Sequence, residues 1–512
     1  MAQFIKTTVV LMLVTIMSKI LGFGREMALT YIHGATALTD AYIIAIGIPT
    51  VLFSGIGTAL ATTFIPIFNE IDKNKGRKDA IKFTNNIFNI LLVLTILLSI
   101  VGFIFAEPLI KLFAMDFSGY KLKLSVDLVK IMIYGIIFIA LSNLMTSWLQ
   151  INGNFTISGM VGFPYNILII ISILLSSNGD FKVMAIGTLL GFASQFIMQL
   201  PYAYKTGYRY KMYINIRDKY VKKMLILLVP VFIGIAVNQV NGIIDRSLAS
   251  TLGDGIITIL NSANRLNGFV LGIFISTIVA VVYPMLSNLS SDGDMSKFSN
   301  TVSNSINIIN ILIIPISIGA MVLAEPVVKI VFQRGAFDEQ ATHMTAIALI
   351  CYSIGMIGFS IREMLNRIFY SLQDTRTPMI NGVITVLMNI ILNLIMIRNM
   401  GYIGLALATS ISSIVCAIAL LINLNRKTSI LNLNRIVKTL VKSIVAALIM
   451  GLATHSIYGF FVKIIGDGTI RELFALLSVV TVGAIIYLVL MIIFRVEEVN
   501  LIVNKIKFKS LK

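Results

Sequence analysis

Charge is scarce in this 512-residue chain. Only 12% of its residues are Asp, Glu, Lys or Arg, against about 25% in soluble globular domains. That shortage excludes an ordinary hydrated surface. Histidine is rarer still: His33, His343 and His455 are scattered and lack metal-ligand spacing. Cys351 and Cys416 fall in apolar segments without CxxC spacing, which excludes a disulfide framework and a zinc site. No GxxxxGK[ST] and no HExxH occurs, so P-loop nucleotide hydrolysis and zincin chemistry are excluded, and no enzyme is expected. The first apolar run, from Thr7, has no small-residue cleavage site behind it and is expected to be a retained span.

What is abundant is apolar. The chain is 57% hydrophobic with a mean hydropathy of +0.92. Runs of roughly 18 or more apolar residues recur from end to end, and about 20 cross a bilayer core as a helix. Backbone polar groups in lipid must be satisfied internally, which leaves helical bundles or closed barrels. Runs this long are not barrel strands. The expected fold is an all-α polytopic membrane protein with about fourteen transmembrane helices, the first near 7–31 and the last near 472–494.

A net charge of +18 raises the question of nucleic acid. Its distribution answers it. Lys73, Lys75, Arg77, Lys78 and Lys82 share one loop, and Lys205, Arg209, Lys211, Arg217, Lys219, Lys222 and Lys223 another. Arg426, Lys427, Arg435, Lys438 and Lys442 form a third cluster, and Arg495, Lys505, Lys507, Lys509 and Lys512 the tail. These segments alternate with loops poor in Lys and Arg, as the positive-inside rule requires of cytoplasmic loops. No nucleic-acid partner is expected. Both termini are placed in the cytoplasm.

The chain repeats itself. FAEPLIKLF (105–113) pairs with LAEPVVKIV (323–331), Pro108 and Pro326 lying 218 residues apart. Pro66 and Pro284 are also 218 apart, Gly187 and Gly404 217, and Asn166 and Asn389 223. A near-constant offset implies duplication of a six-span unit, in parallel orientation because six is even. The expected organisation is an N-lobe over 1–215, a C-lobe over 216–427, and a further segment, 428–512, of two extra helices and a basic tail. Two such lobes imply a central cleft in which substrate is exposed to alternate sides.

Charges inside spans cost about 2.5–3.5 kcal/mol and normally face a partner or water. Arg25, Glu26, Asp40, Asp245, Arg246, Arg265, Arg362, Glu363 and Arg367 are the candidates. Arg25 and Arg265 are the expected cavity cations, joined by Lys19, because a guanidinium pairs bidentately with phosphate. Gly22 and Gly24 before Arg25, and the glycines and prolines of spans 2 and 8, are expected to bend or break those helices. Asp40 either holds an arginine in place or meets substrate. Asp245, with Asn238 or Asn241, either binds a coupling cation or serves as a salt-bridge partner. Arg362, Glu363 and Arg367 fit the cytoplasmic end of span 10. Asp374, before Pro378, suits turn formation and N-capping.

SKILGFGREM (18–27), GATALTDAYIIA (34–45), TTFIPIFNE (62–70) and FYSLQDTRTP (369–378) resemble the MviN/MurJ family of lipid II flippases. The resemblance runs the length of the chain. It implies transport of the undecaprenyl-diphosphate-linked peptidoglycan precursor from the inner to the outer leaflet, for cell-wall synthesis and cell shape. It also implies a cationic cavity for the head group and a groove in the extra helices for the lipid tail. No cofactor is implied beyond a driving force, a Na+ or H+ gradient or the membrane potential. Lipid II or a related lipid is the implied partner, with other cell-wall synthesis proteins beside it. The family's span-1 arginine falls on Arg25 and its following acid on Glu26, with Ser18 and Lys19 at the Ser-Arg before them. Its span-2 aspartate falls on Asp40, and its span-8 arginine on Arg265, preceded by Asn264 where Asp is usual. Phe53 and Ser54 stand where the family often has arginine. That departure leaves open a flippase for another polyprenyl-diphosphate glycan. A cation-coupled drug exporter of the same superfamily is the third reading.

Overall fold

A computed structural model describes residues 2–428, 431–465 and 468–500, without the side chains of 2–12, 54–56, 58, 59, 61, 230–238, 280, 463–465 and 469. The tail residues Lys505, Lys507, Lys509 and Lys512 and the side chains of Ser54 and Asn238 therefore lie outside the described residues. Every regular element among the described residues is helical. The first ten α-helices are α1 (Ala2–His33), α2 (Ala37–Lys75), α3 (Arg77–Ile104), α4 (Ala106–Phe113), α5 (Gly119–Met132), α6 (Gly135–Ile151), α7 (Phe155–Met160), α8 (Gly162–Leu175), α9 (Phe181–Lys205) and α10 (Lys219–Ala249). Then come α11 (Ile256–Ser291), α12 (Met295–Val322), α13 (Ala324–Phe332), α14 (Glu339–Ile354), α15 (Met356–Ser371), α16 (Arg376–Thr428), α17 (Leu433–Ile465) and α18 (Thr469–Ile493).

Aspartates begin several of these helices. The carboxylates of Asp180, Asp218, Asp294 and Asp338 accept from backbone N–H groups of α9, α10, α12 and α14, satisfying donors that a helix start leaves without partners. Among the described residues eight helices are long and apolar enough to cross a membrane, or ten if each of two bent pairs is one span. Helix α16 has 53 residues, about 80 Å at 1.5 Å per residue, far more than one bilayer core. It kinks at Gly401, whose φ of 55° and ψ of −133° are not helical.

Packing divides the chain into two units. One comprises Met1–Thr258 with Gly335–Phe337, the other Ile259–Arg334 with Asp338–Lys512. The packing boundary lies one helix beyond the repeat boundary read at 215/216, because α10 packs on α2 and α4. The first unit centres on aromatic rings, Phe64 stacked on Phe83 and Phe68 edge-on to Trp148. The core of the second includes Phe298, Ile306, Met364 and Phe369.

The repeat is visible in the helices themselves. α12 and α13 each begin 218 residues after α3 and α4. The bent pair α5–α6 turns by 41° and its counterpart α14–α15 by 43°. Each bend has a glycine against a neighbouring helix. A Cβ on Gly135 would lie 2.5 Å from the Phe192 ring, and one on Gly355 2.7 Å from the Ser410 Cα. A ring can rotate away, but a backbone atom cannot. Gly355→Ala is therefore expected to destabilise by about 1–3 kcal/mol, the range for overpacking, and by more than Gly135→Ala. Thermal unfolding of the two variants in detergent checks the order.

The bends expected at glycines and prolines elsewhere are not breaks. α1 is helical from Ala2 to His33, α2 from Ala37 to Lys75 through Pro49 and Pro66, and α11 from Ile256 to Ser291 through Pro284. The reason is the solvent. A glycine weakens a helix by about 1 kcal/mol, whereas an unsatisfied backbone group in hydrocarbon costs several.

Candidate functional site

In the first unit, Arg25 is held by two helices. Its Nη2 donates to Glu26 Oε1 at 3.0 Å and its Nη1 to Asn166 Oδ1 at 3.3 Å. Its guanidinium lies 5.4 Å from the centroid of the Tyr165 ring. Asn166 is fixed in turn by its own donation to the Gly162 carbonyl at 2.8 Å. α1 and the α7–α8 segment approach closely here, because a Cβ on Gly162 would stand 2.1 Å from Ser18 Oγ. Ser18 lies seven residues before Arg25, on nearly the same helix face. Lys19 is exposed and lies about 240° round the helix from Arg25. The Arg25 side chain is 13% exposed. A guanidinium has five N–H donors, and these contacts use two of them. Arg25 is thus a cation with one carboxylate neighbour, an aromatic backing and donors to spare.

Asp40 is bonded elsewhere. It is fully buried in the first turn of α2. Oδ1 accepts from the Thr258 N–H at 2.9 Å and the Thr258 hydroxyl at 2.7 Å. Oδ2 accepts from the Gly255 N–H at 2.8 Å and Lys121 Nζ at 3.3 Å. Lys121 also bonds Asp254 at 2.8 Å and sits 4.3 Å from the Phe117 ring centroid. Gly255 has φ 81°, and a Cβ there would meet the Ala35 carbonyl oxygen at 2.3 Å, so only glycine fits. One carboxylate therefore clasps the start of α11 and the start of α5 to α2.

On α10, the Asn241 amide nitrogen donates to Asp245 Oδ2 at 3.3 Å. Asp245 and Asn241, one of the pairs considered for a coupling cation, are therefore in contact, though Asn241 turns a donor towards the carboxylate. Among the described residues no group of three or more His, Cys, Asp or Glu is placed to hold a metal. The Arg246 guanidinium rests against α2, where a Cβ on Gly47 would lie 2.8 Å from it. Phe53, which stands where an arginine was expected, is 1% exposed and packed in the first unit.

In the second unit Arg265 and Asn264 are both exposed on α11. Arg265 follows Ile256 by nine residues, about 14 Å, and Arg25 precedes His33 by eight, about 12 Å. Each arginine is thus well inside its helix. Arg362 stacks on Phe359 at 4.9 Å and Arg367 lies 6.0 Å from the Tyr283 and Tyr370 rings. Asp374 does cap: it accepts from the Thr377 N–H at 3.0 Å and from Lys427 Nζ at 2.8 Å. Burial works against its ionisation, but Lys427 and Thr377 outweigh it and hold the carboxyl down to about 2.

Tyr165 was not legible in the sequence as a partner of Arg25, and Asn166 entered only through the repeat. Lys121 is one of the few basic residues of the loops poor in Lys and Arg. Its partners lie 81 and 133 residues away, and no local pattern announces them.

A family model described as "Lipid II flippase MurJ" matches residues 29–468. A protein of Vibrio cholerae named probable lipid II flippase MurJ is 31% identical over 431 residues, 80% of this chain and 81% of that one. A solved structure of a lipid II flippase MurJ in an inward closed conformation superposes with a TM-score of 0.81 at 27% identity, covering 95% of this chain and 99% of that chain. An inward-facing multidrug MATE transporter shares the fold alone, at a TM-score of 0.66 and 15% identity.

Proposed function

We propose a mechanism for this chain from one premise: it belongs to the MurJ family of lipid II flippases. It is a multi-pass protein of the bacterial inner membrane and a transporter of lipid II for peptidoglycan synthesis, not an enzyme. Fourteen spans give the reading that accommodates both termini in the cytoplasm. They are obtained by counting α1, α2 and α10 as spans, each bent pair as one, and the two arms of α16 separately. The lobes are the repeated six-span units, 1–215 and 216–427, and α17 and α18 flank the lipid tail.

The observation that carries the mechanism is Arg25. It is shielded from lipid, braced by Tyr165, Glu26 and Asn166, and left with unused donors. Arg265 supports it: an exposed arginine inside a span faces a partner, water or an anion. Each arginine is a diphosphate contact of its own unit, and alternating access carries the head group across. Glu26 orients Arg25, Ser18 sets the packing beneath it, and Asn264 adds a neutral contact beside Arg265. Lys19, on another face of α1, meets the head group on approach. The buried Asp40 stabilises the clasp around Gly255 and meets no substrate. The cycle draws on the membrane potential or on a Na+ or H+ gradient. Asp245 and Asn241 supply three side-chain oxygens at most, too few to hold a hard cation alone, so no step is routed through a bound ion.

Cells depleted of the native protein and supplied with Arg265→Ala test this reading. Leaflet-resolved measurement is expected to find lipid II retained in the inner leaflet, with the variant present at normal abundance. Wild-type export by Arg265→Ala would remove this arginine from the mechanism.

A further inference from the structure

Between α9 and α10 the chain leaves helix over 206–218 and runs alongside α3. Three asparagines of α3, at most 3% exposed, hold its backbone. Asn85 donates to the Arg209 carbonyl at 2.9 Å. Asn89 donates to the carbonyls of Lys211 at 3.2 Å and Tyr213 at 3.3 Å, and accepts from the Tyr210 hydroxyl at 2.8 Å. Asn86 binds Asn215 in both directions, at 2.9 and 2.7 Å. The segment therefore climbs to Asn89 and returns, with Lys211–Tyr213 at its apex.

The apex lies deep. The exposed apolar side chains of α3 run on to Ile104, and about 20 residues cross a bilayer core. Counted back from Ile104, the hydrocarbon boundary falls near Asn85, one turn short of Asn89. Irregular backbone at that level needs its carbonyls satisfied by protein, and the asparagines satisfy four of them.

The outward side of the segment is mixed. Met212 is 84% exposed, Ile216 64% and Ile214 46%. Arg209, Lys211 and Arg217 are exposed between and beside them. Arg209 spends Nη1 on the carbonyls of Tyr204 and Tyr208. No acidic residue occurs in 206–217, and Asp218 is engaged in capping α10. Lys82 braces the inner side, 4.5 Å from the Tyr213 ring centroid.

We propose that 209–217 is an interfacial anchor for anionic phospholipid on the basic side of the membrane. Met212, Ile214 and Ile216 enter the headgroup boundary while Arg209, Lys211 and Arg217 meet lipid phosphates. Each such cation near an anionic leaflet adds to the attraction, and aliphatic side chains add buried area. The anchor holds the linker between the repeated units against the bilayer.

Met212→Cys in the full chain, carrying an environment-sensitive fluorophore, tests it. Cys351 and Cys416 are buried, so labelling is selective. Asp292→Cys, in the exposed turn between α11 and α12, serves as the aqueous reference. In nanodiscs of phosphatidylcholine with about one-third phosphatidylglycerol, the label at 212 is expected to emit to the blue and to be quenched by headgroup-level spin-labelled lipid. Iodide is expected to quench it about threefold less than the reference. In pure phosphatidylcholine, or with R209Q/K211Q/R217Q, iodide quenching is expected to rise towards the reference. Water-like emission in the anionic discs overturns the anchor and leaves the patch to a protein partner. Equal insertion in neutral and anionic discs, or no effect of the triple substitution, overturns the recognition of anionic lipid.

Discussion

Arg25→Ala is expected to abolish lipid II export while leaving the helices in place. A hydrogen bond to a charged group contributes about 1.5–3 kcal/mol. Losing a pair of them to a phosphate removes at least about 3 kcal/mol of substrate binding, a factor of more than a hundred. Arg25→Lys keeps the charge but loses the planar fork, so it is expected to retain weak export. The fold is expected to tolerate the loss because the bonds of Arg25 go to one small cluster, Glu26, Asn166 and Tyr165. Glu26 is then a buried carboxylate that has lost the Arg25 charge, and Arg25→Ala with Glu26→Gln is expected to raise the thermal stability again without restoring export. Leaflet-resolved lipid II, measured beside a melting curve, separates the two effects. Export at the wild-type level by Arg25→Ala would exclude it as a substrate contact.

The second large effect falls on stability. Asp40→Asn replaces a carboxylate that accepts from four donors with an amide that turns its own N–H groups towards some of them. Breaking a buried ion pair by removing one partner costs about 3–5 kcal/mol. Here the Gly255 and Thr258 N–H groups lose an acceptor as well. Lys121→Met is expected to cost less, because Asp40 keeps three donors from the backbone and hydroxyl of two residues. The double variant is expected to be less destabilised than the sum of the singles. Unfolding by scanning calorimetry or fluorimetry in detergent gives the comparison, and additive effects would show that Lys121 and Asp40 are not coupled.

Much of the fold was legible because membrane helices are written in long runs. The apolar helices follow from patterns local in sequence, and the repeat is read from a near-constant offset between distant segments. Prolines and glycines in α1, α2 and α11 do not break those helices, since the penalties known from water are small beside the cost of opening a helix in lipid. Thus Gly22 and Gly162 serve close packing of α1 on α8, in a helix that runs unbroken past Arg25. The Arg25 site was half legible. A charge inside a span is conspicuous, but Tyr165 and Asn166 are ordinary residues until the fold brings them up. The clasp at Asp40 was hidden for the same reason. Its donors come from segments more than 80 residues away, and a buried aspartate reads the same whether it meets a substrate or a loop.

The paired bends have a historical consequence. α5–α6 and α14–α15 turn by 41° and 43°, yet a phenylalanine ring lies against the glycine in one and a serine in the other. The neighbouring side chains differ, while each bend keeps a glycine within one residue of its second helix's start and nearly the same angle. The turn therefore belonged to the ancestral half-molecule before it was copied. A single excised repeat, made as a homodimer, would inherit the same hinge twice.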